Sequence, residues 1–199
     1  MYEVVVSAGR RQAGRAVMRD VIGMYVRRPA RIREGISLGH SADLRVIVYL
    51  LVGAEVLVEG LMDVSLIPPA WRFVHLLWIA LMVDAAIAFG AVTRRHPHQV
   101  SAETLTVRAG LLDEFTLPLD LVGSVRRERL SIKGRGVRPV PDRPEAVACN
   151  VSGTAELVVE LREPVSLRLA SGARLVVRRL HLAADDPAAA HRALRSALA

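Results

Sequence analysis

Two long apolar runs, residues 46–67 and 73–92, are the feature that most constrains the fold of this chain. Each run is about the length that an α-helix needs to cross roughly 30 Å of hydrocarbon, at about 1.5 Å per residue. The short joint between them begins with Pro68 and Pro69, which cannot continue a helix and leave room only for a tight reversal. We therefore predict a transmembrane helical hairpin over residues 45–95. The alternative is a buried helical hairpin in a soluble protein.

Ionisable side chains interrupt both runs. An acidic residue near the membrane centre costs about 2.5–3.5 kcal/mol, whereas each Leu, Ile, Val or Phe returns only about 0.3–0.6 kcal/mol. The first run holds three acidic residues, so we expect it to insert as one half of a hairpin. We also expect these side chains to face protein, because lipid offers them no partner. The candidate intramembrane polar residues are Glu55, Glu59, Asp63, His75 and Asp84.

Folding the chain about the two prolines predicts which of these side chains meet. It gives Asp63 two plausible partners near the outer surface, His75 and Arg72, and it sets Glu55 opposite residues 82–84, near Asp84, at mid-membrane. Two carboxylates in a low dielectric cannot both stay ionised at low cost. Carboxylates at such positions are candidates for an ion or proton path, which here would use Glu55, Glu59 and Asp84, or for contact with a partner subunit.

The distribution of arginine predicts the orientation. Nine arginines precede the first run and two follow the second directly, whereas the joint holds Arg72 alone. Because arginine-rich flanks stay on the cytoplasmic side, we predict a multi-pass protein of the cytoplasmic (inner) membrane with both termini in the cytoplasm.

The N-terminal region, residues 1–44, reads as a basic amphipathic segment followed by a linker. Apolar residues recur at three- and four-residue steps over residues 7–28, which is typical of a helix. Such a helix suits the headgroup layer, although the same apolar stripe could pack against this protein or a partner. The candidate membrane-surface residues are Arg10, Arg11, Arg15 and Arg19.

Residues 101–199 have a different character and predict a cytoplasmic β domain. Alternating apolar residues predict antiparallel strands over residues 103–108, 111–117, 119–127, 155–161, 165–169 and 174–182, closed by a helix over residues 187–198. A turn is expected at Glu163 and Pro164. Residues 130–147, rich in Gly, Pro and Arg, predict a mobile basic loop. We predict that basic residues here bind acidic surfaces, with a solvated loop as the alternative: Arg126, Arg127, Arg129, Lys133, Arg135, Arg138 and Arg143.

No catalytic constellation is present in the sequence. Cys149 is the single cysteine, which excludes an internal disulfide, and we interpret it as a small apolar residue of a strand. His96 and His98 are the closest histidine pair, and we expect them on an interfacial surface. The net charge is +7, but 26 of the 27 basic residues are Arg, a bias that does not by itself indicate nucleic-acid binding. We therefore predict no enzyme, no cofactor, no metal and no nucleic-acid partner.

Two stretches of the β domain resemble bacterial pleckstrin-homology-like (PH-like) domains attached to membrane hairpins. They are residues 103–128, ETLTVRAGLLDEFTLPLDLVGSVRRE, and residues 156–194, ELVVELREPVSLRLASGARLVVRRLHLAADDPAAAHRAL. The resemblance implies a small, strongly bent barrel or sandwich of about seven strands with one end closed by the helix. It also implies an interaction module, and it assigns no binding residue.

The sequence thus predicts an α+β membrane protein with two classes of function. The first is a membrane-anchored, non-enzymatic interaction or scaffold protein whose β domain binds a protein partner or an anionic lipid surface. The alternative is an accessory subunit of an ion- or proton-conducting membrane complex that uses the intramembrane carboxylates. The expected partners are membrane lipid and other membrane-protein subunits or further copies of this chain.

Overall fold

The computed structural model describes residues 2–6, 22, 35–109, 113–151, 153–169 and 172–198 of the 199-residue chain. Within these residues the chain is α+β. The predicted membrane-surface residues Arg10, Arg11, Arg15 and Arg19 lie outside the described residues. The helices are α1 (Ala42–Ser65), α2 (Pro69–Arg95) and α3 (Pro187–Ala197), and the strands are β1 (Tyr2–Val5), β2 (Ile36–Leu38), β3 (His98–Val100), β4 (Thr104–Ala109), β5 (Asp113–Pro118), β6 (Val122–Ser131), β7 (Gly136–Pro139), β8 (Ala146–Asn150), β9 (Thr154–Arg168) and β10 (Arg174–Leu182).

The strands form two curled sheets. One follows the order β1-β9-β10-β8-β7, with β6 also paired to β9, and the other follows the order β2-β3-β4-β5. The pairings of β1 with β9 and of β8 with β10 are parallel, so the prediction of an entirely antiparallel sheet is wrong for these two pairs. The predicted strands that became β4, β5 and β10 lie within two residues of their observed positions.

The helix pair, α1 and α2, is inserted between two neighbouring strands. The chain enters α1 from β2 and leaves α2 into β3, and these strands pair antiparallel, with Ile36 opposite Val100 and Leu38 opposite His98. Both strands lie in segments where the sequence pattern predicts no regular structure. Their pairing holds the start of α1 and the end of α2 side by side.

Strand β9 runs unbroken through Pro164, where the sequence predicts a turn. The pairing of β9 with β6 ends at Leu161 and its pairing with β1 begins after Pro164, at Val165. On the other side, the register of β10 shifts between Val177 and Arg179. Proline lacks an amide proton, but here it falls where the ladder is interrupted on both sides, so the strand continues. The two strands predicted here are therefore one.

The prediction of a mobile loop over residues 130–147 is also wrong. This segment contains β7 and leads into β8, with which β7 pairs antiparallel. Val140, Ala146 and Ala148 form a small buried cluster, and Leu130 and Ile132 pack against it. Apolar side chains spaced among the Gly, Pro and Arg residues therefore order the segment. The prediction of a loop rested on the Gly, Pro and Arg content and did not take these apolar residues into account.

The closing helix α3 begins as predicted. Asp186 stands at its N-cap and accepts a hydrogen bond from the Ala189 amide, and Pro187 occupies the first turn, where its missing amide costs nothing. Ala190 and Leu194 are buried in the main core, which both sheets share. The helix therefore closes the β domain.

One helix in the described part of the chain, α2, is long and apolar enough to cross a membrane. Its most apolar 18 residues have a mean hydropathy of 2.1, and 22% of that stretch is buried within the chain. Helix α1 is nearly as long but holds at least three charged residues in every 18-residue stretch. A two-helix transmembrane hairpin therefore stays a prediction at this point. Large apolar side chains are exposed on both helices, among them Leu50, Leu57, Leu61, Phe73, Leu77 and Trp78.

The two helices approach closely where Tyr49 of α1 meets Gly90 of α2. Gly90 is buried, and a β-carbon placed on it would collide with the Tyr49 hydroxyl oxygen and ring. The absence of a side chain at Gly90 therefore lets Tyr49 lie against the backbone of α2. By contrast, no described residue outside the local backbone lies within 4 Å of a β-carbon placed on Gly60 of α1.

We expect Gly90→Ala to be less stable than Gly60→Ala. Each substitution gains roughly 1 kcal/mol of helix propensity, but the methyl group at residue 90 must also displace the Tyr49 ring, at a cost of about 1–3 kcal/mol. Thermal unfolding of the full chain in mild detergent measures the difference in stability. In a Tyr49→Ala background, Gly90→Ala should no longer carry the extra cost, because the ring that it displaces is absent. Equal stability of the two glycine variants would contradict the contact.

Candidate functional site

His75 of α2 joins two carboxylates of α1. Its Nε2 lies 2.6 Å from Glu59 Oε2, and its Nδ1 lies 3.1 Å from Asp63 Oδ1. Glu59 and Asp63 are one helical turn apart on the face of α1 that meets α2, and all three side chains are half-buried. This confirms the predicted contact between Asp63 and His75 and adds Glu59 to it. The three groups therefore satisfy one another within the chain.

Glu55 and Asp84 are left outside this cluster. Both are exposed, and neither forms a hydrogen bond or ion pair with another residue that the structure describes. The side of α2 that meets α1 carries His75, Ala86 and Gly90; at about 100° per residue, Asp84 lies roughly 160° around the helix from it. The structure therefore does not bring Glu55 and Asp84 together, and they line no common path within one chain.

Asp185 fixes the start of α1 to the end of β10. Its Oδ1 accepts a hydrogen bond from the Ala42 amide at 2.7 Å, and its Oδ2 accepts one from Arg45 Nη2 at 3.3 Å. Its own amide donates to the Gly39 carbonyl at 2.7 Å. Ser41 stands at the N-cap of α1 but makes no capping bond with its side chain. A carboxylate 143 residues along the chain thus meets the free amides and the positive end of the helix.

His98 is buried beneath this junction in a defined tautomer. Its Nδ1 accepts a hydrogen bond from the Arg108 amide at 2.9 Å, so the proton is on Nε2, which lies 3.1 Å from the Ala183 carbonyl and donates to it. Burial lowers the pKa of His98 well below its ordinary value, because the cation cannot be solvated there. The interfacial position expected for His98 is therefore wrong.

His40 packs beside it, with the two ring centroids 4.5 Å apart. Its Nε2 donates to the His96 carbonyl at 2.8 Å, and its Nδ1 accepts from the Ser41 hydroxyl at 2.7 Å. Burial lowers the pKa of His40 as well. Two neutral histidines therefore tie both ends of the helix pair to the β domain.

The predicted basic stretch divides into paired and unpaired residues. Arg126 contacts Glu128 and Glu160, and Arg143 contacts Glu128. Arg138 donates through Nε to the Arg135 carbonyl. Among the described residues, five of the predicted set are exposed and form no ion pair: Arg127, Arg129, Lys133, Arg135 and Arg138.

Strand directions place the turn between β6 and β7 at the same end of the β domain as the helix pair. Strands β8 and β10 are parallel, with Cys149 opposite Leu182, so both run toward the Asp185 junction. Strand β7 is antiparallel to β8, with Val137 opposite Cys149, so β7 begins at the end of the domain that holds Asp185. Strand β6 is antiparallel to β9, and β9 is antiparallel to β10. Strand β6 therefore ends, at Ser131, at the end of the domain that holds Asp185.

The turn therefore lies at the end of the β domain at which α1 begins. Asp185 lies three residues beyond Leu182, and Lys133 lies four residues before Val137. We call residues 129–135 the basic tip; it carries Arg129, Lys133 and Arg135. The sequence contained these residues, but only strand pairing shows where they lie.

Two buried polar side chains were missed by the sequence analysis. His181 and Asn150 are fully buried, and their side-chain nitrogen and oxygen atoms have no hydrogen-bond partner among the residues that the structure describes. Burial lowers the pKa of His181, against the favourable charge of Glu128. Cys149 is fully buried, which raises the pKa of its thiol, as expected of a core residue.

In the part of the chain that the structure describes, no group of three or more His, Cys, Asp or Glu side chains could hold a metal ion. Comparisons with protein-family models, with curated proteins and with solved structures found no match to this chain.

We expect the chain to lose stability as the pH falls below about 6.5. The pKa values of His40, His98 and His181 are lowered on folding from 6.5, so the unfolded chain takes up protons first. Each group contributes at most about 1.4 kcal/mol per pH unit, and the full stability is present above pH 6.5. Thermal unfolding between pH 7.5 and 5.5 measures this.

His98→Gln should flatten that pH dependence, because it removes one buried titrating ring. His191→Gln on α3, where the ring is only half-buried, is the control for replacing a histidine by glutamine. A chain whose stability is the same at pH 7.5 and 5.5 would contradict the burial of these rings as neutral groups.

Proposed function

We propose that this chain is a membrane-anchored, non-enzymatic interaction protein whose β domain binds an anionic membrane surface. The helix pair crosses the cytoplasmic membrane as a hairpin and holds the β domain against the cytoplasmic face. The basic tip then contacts anionic headgroups. The proposal includes no catalytic role and no cofactor.

The pairing of β2 with β3 supports two crossings. Helix α2 has the length and composition to span a bilayer and leaves most of its apolar surface exposed. If α2 crosses, α1 must cross back, because β2 enters α1 and β3 leaves α2 and the two strands are paired. His75 supports the insertion of α1, since it meets Glu59 and Asp63 and reduces the cost of burying them.

Strand β1 supports an orientation with both termini on one side. It precedes the helix pair, yet it pairs with β9, which follows the pair, so β1 and α3 belong to the same β domain. Arginines flank the helix pair on the side of the β domain, while Arg72 is the single arginine in the joint. By the positive-inside rule, that side is the cytoplasm.

The observation that carries the proposal is the position of the basic tip. Arg129, Lys133 and Arg135 are exposed and lie at the end of the β domain from which the helix pair leaves. In an inserted protein this end faces the bilayer. A basic residue near an anionic leaflet contributes about 1 kcal/mol, so the tip would contribute roughly 3 kcal/mol toward holding the domain on the surface.

We also propose that the β domain is PH-like, as the resemblance of residues 103–128 and 156–194 implies. Its two curled sheets and the closing helix α3, whose Leu194 enters the core, support this proposal. The strands β1 and β2, which precede the helix pair, and the strand β7 are additions to the pattern that the resemblance implies.

Removing the charge of the basic tip should detach it from anionic lipid. We would reconstitute the full chain, with a fluorophore on Ser131→Cys, in nanodiscs of phosphatidylcholine with or without 30% phosphatidylglycerol and a headgroup-attached quencher. Quenching should be stronger with phosphatidylglycerol, and it should fall to the phosphatidylcholine level in the triple variant Arg129→Gln, Lys133→Gln, Arg135→Gln. It should also weaken as salt rises.

A fluorophore on Arg174→Cys is the control, because the start of β10 lies at the opposite end of the sheet and should show little quenching. Equal quenching at residues 131 and 174 would reject the orientation. If quenching at residue 131 were the same with and without phosphatidylglycerol, a protein partner for the tip would be favoured.

The alternative of an ion- or proton-conducting subunit makes a different prediction. Glu59 is engaged with His75, and Glu55 and Asp84 do not converge within one chain. If Glu55→Gln or Asp84→Asn abolished ion flux in reconstituted vesicles while the basic-tip variant behaved as wild type, conduction would be the better account.

A further inference from the structure

Asp84 lies on the outer face of α2, away from every described partner. It is exposed and falls near the middle of the apolar run, about 22 Å along the axis from Pro69 at roughly 1.5 Å per residue. Ala80 and Ala88, one turn to either side, are small enough to let another helix approach the backbone.

Two other acidic groups of the helix pair have the cationic partner that Asp84 lacks. Glu59 and Asp63 face α2, where the His75 ring nitrogens lie 2.6 Å from Glu59 Oε2 and 3.1 Å from Asp63 Oδ1. Asp84 has no such cation, and its short side chain cannot reach the headgroups from the middle of the span. If α2 spans the bilayer, an uncovered Asp84 would face hydrocarbon, which provides neither charge nor hydrogen bonds.

A second copy of this chain does not supply the missing cation. Between Arg45 and Arg94 the basic residues are Arg72 and His75, and both lie near the joint rather than at the depth of Asp84. His75 is also occupied by Glu59 and Asp63. Charge complementarity therefore favours a helix from a different protein.

We propose that the outer face of α2, centred on Asp84, docks a transmembrane helix of another protein that carries an Arg or Lys side chain at the middle of the bilayer. The inference rests on the proposed insertion of the helix pair. In the complex the cation meets the Asp84 carboxylate, and the neighbouring alanines allow the two backbones to come close. Glu55 takes no part, since it lies on α1 beside the contact between the two helices.

Synthetic helices test this proposal without knowledge of the natural partner. The full chain is reconstituted in phosphatidylcholine vesicles with an acceptor-labelled, tryptophan-free Leu-rich helix that has either Arg or Leu at its centre. Energy transfer from Trp71 and Trp78 reports association. We expect wild type to bind the central-Arg helix at least tenfold more tightly than the central-Leu helix.

Asp84→Asn should reduce that preference to less than threefold. Asp43→Asn, which removes an exposed carboxylate from the first turn of α1, is the control and should keep the preference, as should Glu55→Gln. Equal binding of the two synthetic helices by wild type, or an unchanged preference in Asp84→Asn, would overturn the inference. So would self-association of wild type that Asp84→Asn abolishes, since a second copy would then be the occupant.

Insertion is measured separately by flotation with the vesicles and by resistance to alkaline extraction. A chain that fails these tests overturns the proposed function itself. A chain that passes them but does not discriminate between the synthetic helices overturns the docking surface alone.

Discussion

The junction between the helix pair and the β domain is the constraint on which the remaining structure depends. A helix begins with free amides, and α1 begins where its own Ser41 makes no cap. Asp185 supplies the acceptor from the end of β10 and also binds Arg45. Gly39 makes the approach possible, since a β-carbon there would lie 2.6 Å from the Asp185 carboxylate. One aspartate thus fixes where the helix pair leaves the domain.

The junction gives the exposed charges of the β domain a direction. Because β8 and β10 are parallel and both run toward Asp185, the antiparallel partners β6 and β7 must turn at that same end. The basic tip and the start of α1 therefore lie at the same end of the β domain. Arg126 and Arg143, in contrast, are engaged by Glu128, whereas the cations of the tip form no ion pair with a residue that the structure describes.

The histidines at the junction and the histidine between the two helices have different roles. His40 and His98 are buried as neutral rings whose hydrogen bonds, to His96 and to Ala183 and Arg108, are structural. His75 instead bridges Glu59 and Asp63 between the helices, where it balances carboxylates that a bilayer would not accept alone. Asp84, like Glu55, belongs to neither group, and in an inserted protein its carboxylate would need a partner from outside the chain.

The sequence by itself determined the elements whose signal is local. The apolar runs of α1 and α2, the alternation of β4, β5 and β10, and the Asp186–Pro187 start of α3 all depend on neighbouring residues. Folding about Pro68 and Pro69 was also sufficient to bring Asp63 to His75. Only the tertiary structure decided that β9 passes through Pro164, that β7 lies within the basic segment, and that Asp185 caps a helix 143 residues away. Each of these depends on a partner strand or carboxylate far along the chain, and the pattern of adjacent residues does not identify a partner at that distance.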